Sequence, residues 1–198
     1  PISDFESLRA ARISVTVLKD ESNSYGIGLA QVPRKKNMVK VDALVSEGLL
    51  CQSPLREGDI LKTVNRKAVT DYRTVMLQLM RMNGLVTISV DTPRGNAGVC
   101  QAFCRKPSLE ASVGISFHAA KHSTAQNELC EDPSATQNIE ASSLLQINSI
   151  DSDGLLADSA LSQGDLVLAI NGIPCLDKTP EEAASLINES PVTFNIIV

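Results

Sequence analysis

Ser46-Glu47-Gly48-Leu49-Leu50-Cys51-Gln52-Ser53-Pro54-Leu55-Arg56-Glu57-Gly58-Asp59-Ile60-Leu61-Lys62-Thr63-Val64-Asn65 returns 106 residues later as Ser152-Asp153-Gly154-Leu155-Leu156-Ala157-Asp158-Ser159-Ala160-Leu161-Ser162-Gln163-Gly164-Asp165-Leu166-Val167-Leu168-Ala169-Ile170-Asn171. Nine of the 20 aligned positions are identical without a gap, and most others exchange like for like. The period is far too long for a solenoid, so the chain is read as a duplicated domain. Each copy predicts a short helix opening at Gly48 or Gly154 and burying its leucines. Gly58-Asp59 and Gly164-Asp165 then predict tight turns, with Gly free to take positive φ and Asp able to accept from nearby amides. A short apolar strand follows, ending at Asn65 or Asn171.

The length of 198 residues allows one large domain or two small ones, and the repeat decides for two. A unit near 90 residues holds one modest core without disulfides. Aromatics are only 3% with no Trp, so the cores are expected to be built from Val, Ile, Leu, Met and Ala. The net charge of -5 is unevenly spread: residues 1–99 carry 14 basic and 10 acidic side chains, residues 100–198 carry 4 and 13. The plain reading is drift on solvated surfaces; the other is that the halves attract different ligands, or each other. Five cysteines (Cys51, Cys100, Cys104, Cys130, Cys175) without a framework spacing suggest reduced thiols and an intracellular, cytoplasmic setting. No stretch approaches a membrane span. The first residue is Pro1, so the chain is expected to be a fragment of something longer.

In chain order, residues 12–18 alternate and predict a first strand. Residues 25–32 read as a glycine-interrupted strand, broken at Pro33, and 38–45 as a third strand. Asp71 is the expected N-cap of a helix over 72–82 that Asn83-Gly84 ends, with a closing strand at 85–90. Residues 1–91 therefore form the first domain. Residues 92–108, with Pro93, Gly95, Gly98 and Pro107, read as a linker spanning up to roughly 60 Å and leaving the relative orientation of the domains unfixed. The second domain covers 109–198, with a long polar insert near 118–142 expected to be mobile. Thr179-Pro180-Glu181-Glu182 is a strong helix start.

This element order resembles the PDZ domain in both halves. The resemblance rests on an apolar-Gly-apolar strand, a Leu-x-x-Gly-Asp turn leading into an apolar strand that ends in Asn, one helix and a last strand. It implies a mostly β fold with some α: two partly open β-barrels or sandwiches, each of five or six strands capped by two helices. It also implies binding of C-terminal peptides, added as a strand beside the second helix. The terminal carboxylate would sit on backbone amides of a glycine loop. The family's Gly-Leu-Gly-Phe loop falls on Gly26-Ile27-Gly28-Leu29 and, in the second half, on Ser112-Val113-Gly114-Ile115, whose first position departs from Gly. Basic residues that could assist are Lys19, Arg105 and Lys106. In the second helix Pro180 would come first, with Ala184 and Ile187 facing the groove, favouring an apolar ligand residue. In the first domain two registers are open. Placing Arg73 first puts Leu77 and Met80 on the groove and is preferred; placing Tyr72 first buries Gln78.

Other patterns have plainer readings. Gly26-Ile27-Gly28 lacks the third glycine and the following helix of a nucleotide loop. His118 and His122 have a metal-ligand spacing but no third partner. Cys100 and Cys104 read as ordinary thiols. Arg34-Lys35-Lys36 is the one run that could touch anionic lipid, though three charges at a loop tip are usually just solvated. Glu181-Glu182 point apart on a helix, and no nucleophile motif is present, so no catalysis, cofactor or metal is expected. Acidity and few aromatics argue against nucleic acid.

The sequence thus reads as a non-catalytic scaffold or adaptor module whose partners are C-terminal tails of other proteins, membrane proteins among them. Through such partners it could be membrane-associated. Two alternatives stand beside it: a substrate-sensing pair in a larger protease or other enzyme, and a second domain that only docks on the first.

Overall fold

The computed structural model describes residues 9–35, 37–93, 95–121, 143–190 and 192–198. Residues 1–8, Lys36, His122, Cys130 and most of the polar insert (122–142) lie outside the described residues. The first half runs β1 (Ala10–Lys19), β2 (Ile27–Gln31), β3 (Val39–Leu44), β4 (Ile60–Val64), β5 (Lys67–Ala68), α1 (Tyr72–Arg81) and β6 (Gly84–Asp91). The second runs β7 (Asn96–Arg105), β8 (Ile115–Lys121), β9 (Ser143–Ile150), β10 (Ala169–Ile170), β11 (Ile173–Pro174), α2 (Pro180–Asn188) and β12 (Thr193–Ile197). Among the described residues the chain is mostly β with two helices.

The repeated stretch builds the same local structure twice. Gly58 (φ 91°) and Gly164 (φ 88°) both take the left-handed conformation that glycine tolerates best, as do Asn65 (φ 47°) and Asn171 (φ 52°). Asp59 Oδ2 accepts from the Arg56 amide at 2.8 Å, and Asp165 Oδ2 from the Ser162 amide at 2.7 Å. Asn65 Oδ1 accepts from the Thr87 amide at 2.7 Å, and Asn171 Oδ1 from the Asn195 amide at 2.9 Å. Leu50 and Leu156 are fully buried, as are Val64 and Ile170.

Around these turns sit two aliphatic cores. One gathers Ile13, Val15, Val39, Leu50, Val75 and Ile88; the other gathers Leu145, Ile147, Leu156, Ile170, Ile187 and Phe194.

Two expectations are corrected. The glycines at 48 and 154 do not open helices. The segments after them are successive i,i+3 turns, with Cys51 bonding to Gly48 O and Ser53 to Leu50 O, and with Ala157 bonding to Gly154 O and Ser159 to Leu156 O. Among the described residues each half therefore carries one helix rather than two. Ser53 and Ser159 each leave the turn for a bend, and Pro54 prevents continuation in the first copy.

The second correction concerns the linker. Residues 96–105 form β7, which pairs parallel with β1 (Ile13 with Gln101, Val15 with Phe103) and antiparallel with β12. Gln101, Ala102, Phe103 and Cys104 are buried in succession, as a strand covered on both faces must be. The result is one large sheet in the order β11-β10-β12-β7-β1-β6-β4-β3-β2, with β5 on β4, and a separate β8-β9 pair. The two halves are thus joined through the sheet. They also meet at Arg66, whose Nε lies 2.7 Å from Asp158 Oδ1 and whose guanidinium donates to the Ala157 carbonyl. The Ala160 amide donates to Ser14 Oγ at 3.1 Å.

Candidate functional site

Each half holds a glycine loop that enters an edge strand flanked by its helix. In the first, Gly26 takes φ 67°, and its Cα faces Gly48 so closely that a β-carbon on Gly26 would lie 2.5 Å from Gly48 Cα. In the second, Gly114 takes φ 69°, and a β-carbon there would lie 2.6 Å from Gly154 Cα. The Gly26 carbonyl accepts from the Val45 amide and the Gly114 carbonyl from the Asp151 amide, each at 2.8 Å. β2 then pairs Ile27 with Leu44 and Gly28 with Ala43, and slips register before Leu29. β8 pairs Ile115 with Ile150 and Ser116 with Ser149, and slips before Phe117.

These matches correct the second loop by two residues. The structural counterpart of Gly26-Ile27-Gly28-Leu29 is Gly114-Ile115-Ser116-Phe117, not Ser112-Val113-Gly114-Ile115. Val113 is buried in the place of Tyr25, and Phe117 is a groove residue the sequence reading missed. Its signal was available: glycine, apolar, small, apolar. Ser116 stands where the first half has Gly28. Its hydroxyl faces Ser149 Oγ at 2.7 Å, whereas a β-carbon on Gly28 would press on the Ala43 β-carbon at 3.2 Å.

The helix register is settled by the same comparison. Asp71 caps α1, accepting from the Thr74 amide at 2.9 Å, and Thr179 caps α2 in a full capping box. Tyr72 therefore matches Pro180, Met76 matches Ala184 and Leu79 matches Ile187. Burial agrees at each pair: half-buried, half-buried, buried. The preference for Arg73 is overturned. Arg73 is exposed, Leu77 is 51% exposed and matches Ser185, and Met80 is 76% exposed and matches Asn188 at the rim. Gln78 turns inward at no great cost because its Nε2 donates to the Val64 carbonyl at 3.4 Å.

α1 contacts β2 and α2 packs on β8. In the second half a cleft of about 400 Å³ lies between them, lined by Gly114, Ile115, Phe117, Ala184 and Ile187 with Glu110 and Asp151 at its edge. Of the basic candidates, Lys106 is corrected. It is 6% exposed, and its Nζ donates to the carbonyls of Ile187 (2.7 Å) and Ser190 (3.0 Å) at the end of α2. Arg105 lines a separate cleft of about 720 Å³ at the junction of the halves, with Leu18 and Leu109. Lys19 lies over the Tyr25 ring, 5.9 Å from its centroid.

Arg34 and Lys35 are exposed, and so is His118. Cys104 is buried, which pushes its thiol up to about 12. Among the described residues no group of His, Cys, Asp and Glu could hold a metal ion, and no helix is long and apolar enough to cross a membrane.

No family model matches the sequence, and no curated protein does. Among solved structures, the fifth PDZ domain of InaD is 20% identical over 42% of this chain and 98% of its own length, with a TM-score of 0.37. A PDZ domain from choanoflagellate GIPC is 13% identical over 43% of this chain and 94% of its own length, with a TM-score of 0.38.

Proposed function

We propose that the chain is a protein-interaction module of two PDZ-like units, each taking an extended peptide as an added strand. In this reading β2 and β8 are the receiving edges, α1 and α2 the outer walls, and the amides after Gly26 and Gly114 the cradle for the peptide's end. The supporting observation is the recurrence, in both halves, of the same constellation: left-handed glycine, bulged edge strand and capped helix. Among the described residues β2 ends the large sheet and β8 pairs only with β9, so both have an edge available for main-chain bonding. The first unit would be 1–91, and the second would run from β7 to the last described residue, 96–198, rather than starting at 109. Ile27 and Leu29 would hold the ligand's last side chain in the first, Ile115 and Phe117 in the second. Tyr72 and Pro180 would touch its third-from-last residue, favouring an apolar residue in both and a hydroxyl at Tyr72. No residue here is assigned a catalytic role, and the parent protein would be a scaffold or adaptor acting at protein tails.

A library of free C-terminal peptides, with amidated copies as controls, tests this. The expected result is binding that amidation weakens in the first unit and that Gly28→Glu abolishes there. Failure of every peptide refutes the reading. A second reading, with the second unit as a docking partner, is favoured by the β1–β7 pairing. It predicts that Gly28→Glu alone removes all binding from the whole chain.

A further inference from the structure

The two glycine loops differ in the charge beside them. Val45 and Asp151 occupy matching places: each donates its amide to the loop glycine's carbonyl and follows the residue paired with Ile27 or Ile115. Val45 is neutral, while the Asp151 β-carbon would lie 3.1 Å from a β-carbon built on Gly114. Glu110 and Asp151 both line the same cleft, both residues are solvent-exposed, and no described residue lining it is basic. The matching lysine of this unit, Lys106, is turned away into the end of α2. The first turn of α2 adds Glu181 and Glu182, outside the cleft lining, and Glu182 is engaged by the Thr179 capping box and lies 3.7 Å from Lys178. The half that contains it carries 13 acidic and 4 basic side chains in all.

A free C-terminal carboxylate entering this loop meets like charge, attenuated by water because both acids are exposed. A lysine or arginine meets the opposite. Resting on the peptide-groove reading above, we infer that the cleft beside α2 takes an internal, basic stretch of a partner chain, while the first unit takes the free terminus. The two units then read different parts of a partner, and the charge asymmetry of the halves is a specificity device.

The test uses the whole chain with Gly28→Glu closing the first unit. The probes are nonapeptides ending in Val, Ile or Leu, each made as free acid and as amide, with and without two lysines. The expected result is that lysine-bearing amides bind about tenfold more tightly than lysine-free acids. Asp151→Val with Glu110→Ser, residues compatible with the fold since Val45 and Ser22 stand in the first unit's corresponding segment, should erase that preference. Tighter binding of the free acids overturns the inference and leaves the peptide-groove reading standing. So does binding by the unmodified chain that Gly28→Glu removes entirely, which leaves the groove reading to the first unit alone. Silence of every peptide on both forms removes the groove reading along with the inference.

Discussion

Gly48→Ala puts the paired glycines to a quantitative test. A β-carbon on Gly48 would lie 2.3 Å from Gly26 Cα, 2.5 Å from the Tyr25 carbonyl oxygen and 2.6 Å from Gly26 N. Comfortable contact begins near about 3.5 Å, so the two segments must part by roughly 1 Å. All three obstacles are backbone, and no rotamer change relieves them. Three hydrogen bonds span the gap: Leu49 to Ser24 O (2.9 Å), Leu50 to Tyr25 O (3.1 Å) and Val45 to Gly26 O (2.8 Å). At about 1 kcal/mol each, losing two or three costs about 2–3 kcal/mol. Gly48 does not have positive φ, so alanine suits its backbone and the steric effect is read without conformational strain. In the second unit Gly154 is looser, with its nearest obstacles at 2.8 and 2.9 Å, so Gly154→Ala should cost about half as much. Native-state hydrogen exchange is the suitable assay, because it resolves each unit where a single urea transition does not. The Leu49 and Leu50 amides should exchange roughly 30- to 150-fold faster in Gly48→Ala. If both variants stay within about 0.5 kcal/mol of the parent, or Gly154→Ala proves the worse, the close-approach argument is wrong.

Three further outcomes are expected. Lys106→Met strands the Ile187 and Ser190 carbonyls and should loosen the end of α2 by about 2–3 kcal/mol, seen as faster exchange of its last amides; unchanged exchange would show that water replaces the ammonium. Thr179→Ala removes the capping box and should lower thermal stability by about 1 kcal/mol, with Thr179→Ser restoring most of it. Burial raises the Cys104 thiol from 9.0 to about 12 and the Tyr25 phenol from 10.0 to about 12. Both stay protonated in the folded chain where the unfolded chain has released its protons, so stability present below pH 9 is lost as pH climbs toward 12. The urea midpoint should fall between pH 8 and 10.5, and fall less in Cys104→Val; an equal fall would assign the loss to other groups.

The repeat was legible because its geometry is local. Gly58-Asp59 and Asn65 state their own backbone conformations, and the Thr179 capping box announces its helix. β7 was not, because Pro93, Gly95 and Gly98 looked like linker punctuation. The uncharged run Val99 to Cys104 was nonetheless the mark of a strand buried on both faces. The register of α1 turned on Gln78, which looked too polar for an inner position; only the fold supplies the Val64 carbonyl that satisfies it. The second loop was displaced because Ser116 replaces a glycine and the nearest glycine drew the alignment two residues early. The charge of the cleft was visible only as a total, since nothing in the order of residues brings Glu110 and Asp151 to one rim.

The parallel seam between β1 and β7 also bears on how the chain is made. During synthesis β1 can pair with β6 once residue 91 has emerged, but its other edge waits for residues 96–105. Until then a ten-residue strand offers unpaired amides and carbonyls to any neighbour. A nascent chain stalled after Asp91, or a gene cut there to isolate the first unit, would expose a sticky border. Extending the cut to Arg105 would cover that border but leave β7 bare on its far side, where β12 belongs. The seam between the units is thus also the place where handling them separately is most hazardous.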